Sequence, residues 1–159
     1  MTVLGIDPGT TRMGYAVVTG RRDAPRLVLS GVLGNPRLDR SERLLDLYQA
    51  LSLIIKKTSP DVVALEKLFF SKNVKTALAV AEARGIILLT AVLANRRVYE
   101  YTPQEIKIAL TSRGNAEKRD VARMIRTLLH LTSLPRMDDE TDAIAIAITG
   151  LIVRKSEHE

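Results

Sequence analysis

The chain has 159 residues, 46% hydrophobic and 26% charged, values that exclude a disordered chain and lead us to expect one soluble domain, residues 1–159, around one core. It has no cysteine and only His130 and His158 as histidines, which excludes disulfides, thiolate nucleophiles, iron–sulfur clusters and zinc sites built on cysteine or paired histidines, so a bound metal must rely on oxygen. With 24 Lys and Arg against 18 Asp and Glu the formal charge is +6, which points to a polyanionic partner, while the lack of a basic leader or a long apolar stretch predicts a cytoplasmic protein with no membrane partner.

Three short apolar or alternating segments open the chain, Val3–Asp7, Gly14–Val18 and Leu27–Leu33, each bounded by Gly, Pro or charged turn residues; they predict an antiparallel meander. Ser41 precedes a helix with Leu44, Leu47, Tyr48, Leu51, Ile54 and Ile55 at helical spacing, closed by Pro60. Val62–Glu66 reads as a short strand buried on both faces, and Thr76–Ala94 as a long Ala- and Leu-rich helix. Val98–Tyr101 is a further strand. Thr102-Pro103-Gln104-Glu105 has the form of a capping box with Pro at the first helical position, which starts a helix to about Leu110. A helix from Asn115 has Val121, Met124, Ile125, Leu128 and Leu129 on its core face, and a last one, from Asp138 to about Val153, carries a stretch apolar all round, Ala143–Ile148. Strands followed by alternating helices and strands predict an α/β fold with one mixed sheet covered by helices.

Acidic residues stand where these elements end. Asp7 closes the first strand before Pro8-Gly9, either as a turn former or as a ligand group at the carboxyl edge of a sheet. Glu66 closes the apolar Val62–Leu65, where an ionised carboxylate needs a partner, either a basic residue such as Lys67 or a metal. Asp138-Asp139-Glu140-Thr141-Asp142 opens the last helix; acids there favour the helix dipole and can cap its amides, but four within five residues exceed what a cap requires. Asp139 and Asp142 share a face, with Cβ atoms about 5–6 Å apart, and Asp138 at i,i+4 from Asp142 leaves the register open by one residue. An oxygen-only set of this kind suits magnesium or manganese, and two such ions roughly 3.5–4 Å apart are the machinery of phosphodiester hydrolysis.

Cationic and aromatic residues lie near these acids in the sequence. Phe69 and Phe70, the only phenylalanines, follow Glu66 among Lys67, Lys72 and Lys75, a composition that suits unstacked bases, or rings docked into the core to fix the loop. Arg119, Arg123 and Arg126 form a stripe with Lys118 beside it, and Lys107 and Arg113 precede it; such a stripe is a solvated face or a track for phosphates.

Gly5-Ile6-Asp7-Pro8-Gly9, Glu66 with Phe69 and Lys72-Asn73, Ala83-Arg84-Gly85 and Asp139-Glu140-Thr141-Asp142 followed by Ala143–Ala147 together resemble the RuvC family of Holliday-junction resolvases. The likeness runs from Leu4 to about Thr149. It implies an RNase H-like fold with a five-stranded mixed sheet and an endonuclease that makes paired symmetric cuts in four-way junction DNA during recombination and repair. It also implies a homodimer and a partnership with the RuvA–RuvB branch-migration complex. The family's catalytic, metal-holding carboxylates map onto Asp7, Glu66, Asp139 and Asp142, with Mg2+, two per site and replaceable by Mn2+, as cofactor. The position of Phe69 is implied to stack on a base near the crossover, and Lys107 and Lys118 to bind the scissile phosphate. Gly5–Thr11 also resembles the first phosphate loop of actin-like ATPases and sugar kinases, but 159 residues with no second glycine-rich loop do not furnish the two large domains those enzymes close over a nucleotide. A junction-binding module without chemistry would gain nothing from repulsive carboxylates near phosphate. A nuclease acting on RNA would share the acids but has less use for the Phe69 loop.

Overall fold

The opening apolar segments form β1 (Thr2–Asp7), β2 (Met13–Arg21) and β3 (Ala24–Leu33), an antiparallel meander, in a computed structural model that describes residues 1–9, 11–67 and 74–153. After α1 (Arg40–Thr58) the chain returns as β4 (Val62–Glu66), parallel to β1, and after α2 (Val74–Leu93) as β5 (Arg97–Tyr101), parallel to β4. The sheet order is β3-β2-β1-β4-β5. β1 is thus central, and its Val3–Ile6 are buried, as both faces of a covered strand require. Three helices complete the described chain, α3 (Pro103–Thr111), α4 (Lys118–Leu128) and α5 (Asp138–Ile152).

Alternation along the strands divides the interior in two. Val3, Ala16, Val18, Val62, Ala64 and Tyr101 turn toward α3, α4 and α5, whereas Leu4, Ile6, Val17, Val63 and Leu65 turn toward α1 and α2. Each fully buried Val, Leu or Ile contributes roughly 1.5–3 kcal/mol, and the sheet collects that gain on both faces. α5 is buried without interruption from Ala143 to Leu151 because it lies on the sheet and is itself covered by α3 and α4.

The mixed five-stranded α/β architecture agrees with the sequence reading, and three helix starts differ from it: α2 begins at Val74, two residues before Thr76, and α1 and α4 differ in their caps. α1 is capped by Asp39, not Ser41: the Glu42 N–H donates to Asp39 Oδ1 at 2.8 Å and the Asp39 N–H to Glu42 Oε2 at 3.0 Å, a reciprocal pair stronger than a lone serine. α4 begins at Lys118 rather than Asn115, after a turn through Gly114 and Asn115, because Asp120 turns back to the Glu117 N–H. The capping box expected at α3 is present, with Thr102 and Glu105 exchanging bonds of 3.1 and 2.6 Å. No helix of the described residues is long and apolar enough to cross a membrane.

Candidate active site

Pairing between β1 and β4 stops at Ile6↔Leu65, one residue short of both Asp7 and Glu66. The two carboxylates therefore stand at the carboxyl ends of adjacent parallel strands where the ladder has just opened, a position in which side chains reach a ligand without breaking the sheet. Across that edge lies the start of α5. Two glycines let the helix approach: a Cβ on Gly5 would overlap the backbone of Ala143 and Ala147, and one on Gly14 would overlap the carbonyl of Asp139. The first turn of α5, with Asp138, Asp139 and Glu140, is thereby pressed against β1 and β2. None of these acids is the N-cap; that position is Met137, which makes no side-chain cap bond.

Crowding of like charge is legible in the ionisation of the site. The Asp7 carboxyl is pushed up to about 7, first by burial and then by the charges of Asp142, Glu66 and Asp139, with Lys118 opposing. Glu66 is raised as well, by burial and by Asp142, again opposed by Lys118. Asp138 does not enter either environment; its side chain is 86% exposed, against 28% for Asp139. Of these two neighbours only Asp139 adds its charge to the surroundings of Asp7.

Two cations border these acids. Lys118 Nζ lies 3.1 Å from Asp142 Oδ2 and 3.4 Å from Asp138 Oδ2; burial disfavours its charge, but these bonds and carboxylates outweigh it and hold the ammonium above its ordinary value. Arg12 Nε lies 3.3 Å from Asp139. With Asp139 drawn to Arg12 and Asp142 to Lys118, no three His, Cys, Asp or Glu side chains among the described residues stand in ligating geometry. The acids are neighbours around an opening rather than a closed cage. Their chemistry fits a hard divalent cation: every donor is a carboxylate oxygen, and a cation would offset both the burial and the repulsion that hold Asp7 near 7.

Glu66, Asp142, Lys107 and Lys118 line one cleft of about 340 Å³, whose floor is Ile106, Val121, Ala145 and Ile146. A larger hollow, about 870 Å³, opens at the far end of the sheet beside Met1, Arg21 and Arg22, away from the paired carboxylates. The remaining cations named from sequence lie outward. Arg113 and Arg123 both pair with Asp120, at 3.5 and 3.2 Å, and Arg119 with Glu117 at 2.9 Å; Arg119, Arg123 and Arg126 are exposed along α4. The stripe leads away from Lys118, with Arg126 roughly 12 Å further along the helix axis. Phe69, Phe70 and Lys72 lie outside the described residues. Arg12 and Gly14 were not singled out in the sequence reading, and Arg84 entered only as part of a resemblance. A basic residue in the loop directly after Asp7 was the available signal for Arg12; the other two depend on contacts between elements distant in the chain.

Carboxylates at the ends of adjacent parallel strands, faced by an acidic helix start and bordered by lysines, form a site of the class used by metal-dependent nucleases. The model of the family Crossover junction endodeoxyribonuclease RuvC matches residues 3–150. A relative of that description from Roseiflexus sp. strain RS-1 is 49% identical over 146 residues, 91% of this chain and 87% of its own. Another, from Caldicellulosiruptor saccharolyticus, is 42% identical over 158 residues, 98% of this chain and 95% of its own. The structure of T. thermophilus RuvC in complex with Holliday junction substrate superposes with a TM-score of 0.91 at 35% identity, covering 96% of this chain and 93% of that one. The yeast mitochondrial Holliday junction resolvase Ydc2, at 16% identity and a TM-score of 0.69 over 94% of this chain and 77% of its own, shares the fold. The chain belongs to the RuvC family of crossover junction endodeoxyribonucleases. Membership carries hydrolytic nuclease activity and use of a divalent metal.

Proposed function

We propose that this chain resolves four-way DNA junctions by paired, symmetric phosphodiester hydrolysis, with Asp7, Glu66, Asp139 and Asp142 holding Mg2+. The observation that carries the reading is the gathering of Asp7, Glu66 and the α5 acids at one sheet edge, in a chain similar over nearly its whole length to a RuvC whose structure was determined with a Holliday junction. When bound, the ions supply Lewis acidity and an activated water at the scissile phosphate.

The protein's own residues do the rest. Burial and crowding keep the carboxylates poised for a cation, and the central position of β1 and β4 in the sheet fixes them. Lys118 neutralises Asp142 in the absence of other cations and is placed to turn toward a phosphate oxygen; Lys107, which lines the same cleft, meets the same phosphate. Arg113, Arg119, Arg123 and Arg126 track the backbone of an outgoing DNA arm. Phe69, Phe70 and Lys72 are assigned to the junction centre on their composition and the family resemblance.

Resolution into two ligatable duplexes needs two cuts, and one site per chain supplies one, so the active form is a homodimer. Leu78 is 58% exposed, and Ala81 and Gly85 are exposed on the outer face of α2, while Ala83, Ile87 and Ala91 on its inner face fill the core. That outer stripe is the dimer contact. Residues 1–159 act as a single nuclease domain, in the cytoplasm, with the RuvA–RuvB complex as partner. Incubation with a synthetic four-way junction and Mg2+, read on a denaturing gel, is expected to give paired nicks at symmetric positions. Cleavage of structured RNA but not of the junction would overturn the substrate assignment.

A further inference from the structure

We infer that Arg84 is a positioning residue for Glu66, holding the end of β4 through its main chain from the face of the sheet opposite the carboxylate. Lys67 N–H closes the β4–β5 ladder on the Tyr101 carbonyl at 2.8 Å, so the Glu66 carbonyl, one residue earlier, turns to the β1 side. There the register Ile6↔Leu65 assigns it the amide of residue 8 as donor. Residue 8 is Pro8, which has none. The proline that turns the chain away after Asp7 thus leaves the carbonyl of the neighbouring site residue without its ladder bond.

Arg84 fills that place. Its Nη1 donates to Glu66 O at 3.0 Å, and its Nη2 pairs with Glu100 on β5. The Arg84 side chain is 12% exposed, so this is a guanidinium fixed between two strands and not a surface charge. Glu66 faces α5 with Ala64, whereas Arg84 arrives from α2 on the side of Leu65 and Val63; it touches the main chain and leaves the carboxylate free for the cleft. Without it the Glu66 carbonyl, the last acceptor that β4 turns to the β1 side, would have no partner, at the residue whose carboxylate must keep its distance from Asp7.

The inference rests on the reading of Glu66 as a metal-holding carboxylate, and its test separates the two. Mn2+ binding to the DNA-free protein, measured by electron paramagnetic resonance or calorimetry, is compared for wild type, Arg84→Met, Arg84→Lys and Glu66→Gln. Loss of an outer partner of a ligand weakens metal binding by roughly tenfold or more. Arg84→Met is expected to show that loss and a matching rise in the Mg2+ needed for half-maximal junction cleavage, with the rate restored at high Mg2+; Arg84→Lys, which keeps one donor, falls between. Wild-type Mn2+ binding in Arg84→Met, or a rate loss that high Mg2+ does not recover, overturns the proposal. If Arg84→Met does not fold, Arg84→Lys decides alone: metal binding equal to wild type overturns the proposal, and a weakened, Mg2+-recoverable phenotype supports it. Glu66→Gln with undiminished Mn2+ binding would instead overturn the reading of Glu66 beneath it.

Discussion

Gly14 on β2 lies directly against the main-chain carbonyl of Asp139, so close that a Cβ at position 14 would overlap that oxygen. The contact sets how near the acidic turn of α5 comes to Asp7. Gly14→Ala must push the start of α5 away, because the obstacle is backbone and cannot rotate aside. We expect a loss of about 1–3 kcal/mol in stability, the usual cost of overpacking, and a fall in junction cleavage of more than tenfold, read by thermal melting and gel assay on the same preparation. Wild-type activity in Gly14→Ala would show that Asp139 does not need this placement.

Asp7 links the site to pH and stability. Its folded value of about 7 lies above the ordinary 3.8, so between these values the folded protein binds more protons than the unfolded chain. The stabilisation from protonated Asp7 is complete below about 4 and is lost as pH rises through about 7. Asp7→Asn keeps a neutral side chain at every pH. In EDTA the variant should therefore melt above wild type at pH 8, by at most on the order of 4 kcal/mol at about 1.4 kcal/mol per pK unit, with the gap closing toward pH 4. Added Mg2+ should raise the melting temperature of wild type but not of the variant. A variant melting at or below wild type at pH 8 in EDTA would remove the argument that burial and crowding disfavour the Asp7 charge.

Asp138 and Asp139 are adjacent but differ in surroundings. Asp138 is 86% exposed and reaches only Lys118, whereas Asp139 is 28% exposed, pairs with Arg12 and adds its charge to the surroundings of Asp7. Asp139→Asn should lose cleavage by more than a hundredfold while still binding the junction. Asp138→Asn should forfeit a surface ion pair worth about 0–1 kcal/mol and retain most activity. The opposite ranking in a single-turnover assay would move the register by one residue.

Much of this arrangement is local in the sequence, and that part is legible. Val62–Leu65 is apolar on both faces and ends in Glu66; the pattern yields a buried strand with an acid at its exit, and the structure has both. Thr102 and Glu105 announce the start of α3 for the same reason, because a capping box is complete within four residues. The start of α1 was misplaced because Asp39 and Ser41 are both good caps, and only the return bond from Glu42 chooses between them. The role of Gly14 depends on a helix more than a hundred residues away, and the contact of Arg84 with the Glu66 carbonyl depends on strand register. Neither leaves a periodic trace. Arg12 was hidden by its setting, since a lone arginine in a turn reads as solvated until Asp139 is placed beside it.

The outer face of α2 decides whether the two cuts are coupled. Ala83, Ile87 and Ala91 are 3%, 1% and 0% exposed, so the inner face is fully used by the core. On the outer face Leu78 and Leu89 are 58% and 51% exposed, and nothing within 4 Å of this chain would meet a Cβ on Gly85. A small-residue notch flanked by leucines allows two helices to approach closely, and burying such a stripe gains about 25 cal/mol per Å² of apolar surface. Gly85→Arg or Ala81→Arg places a long cation in that notch without touching the inner face. Each variant should fold with little change in melting temperature at high dilution, where the dimer has dissociated, and sediment as a monomer. On a junction carried in a supercoiled plasmid, each should release nicked circles, where the wild type gives linear product from two cuts made within one binding event. Sedimentation of the wild type as a monomer, both free at micromolar concentration and on junction DNA, would remove the dimer from the proposal. A dimer that survives Gly85→Arg and Ala81→Arg unchanged would move the contact to another face.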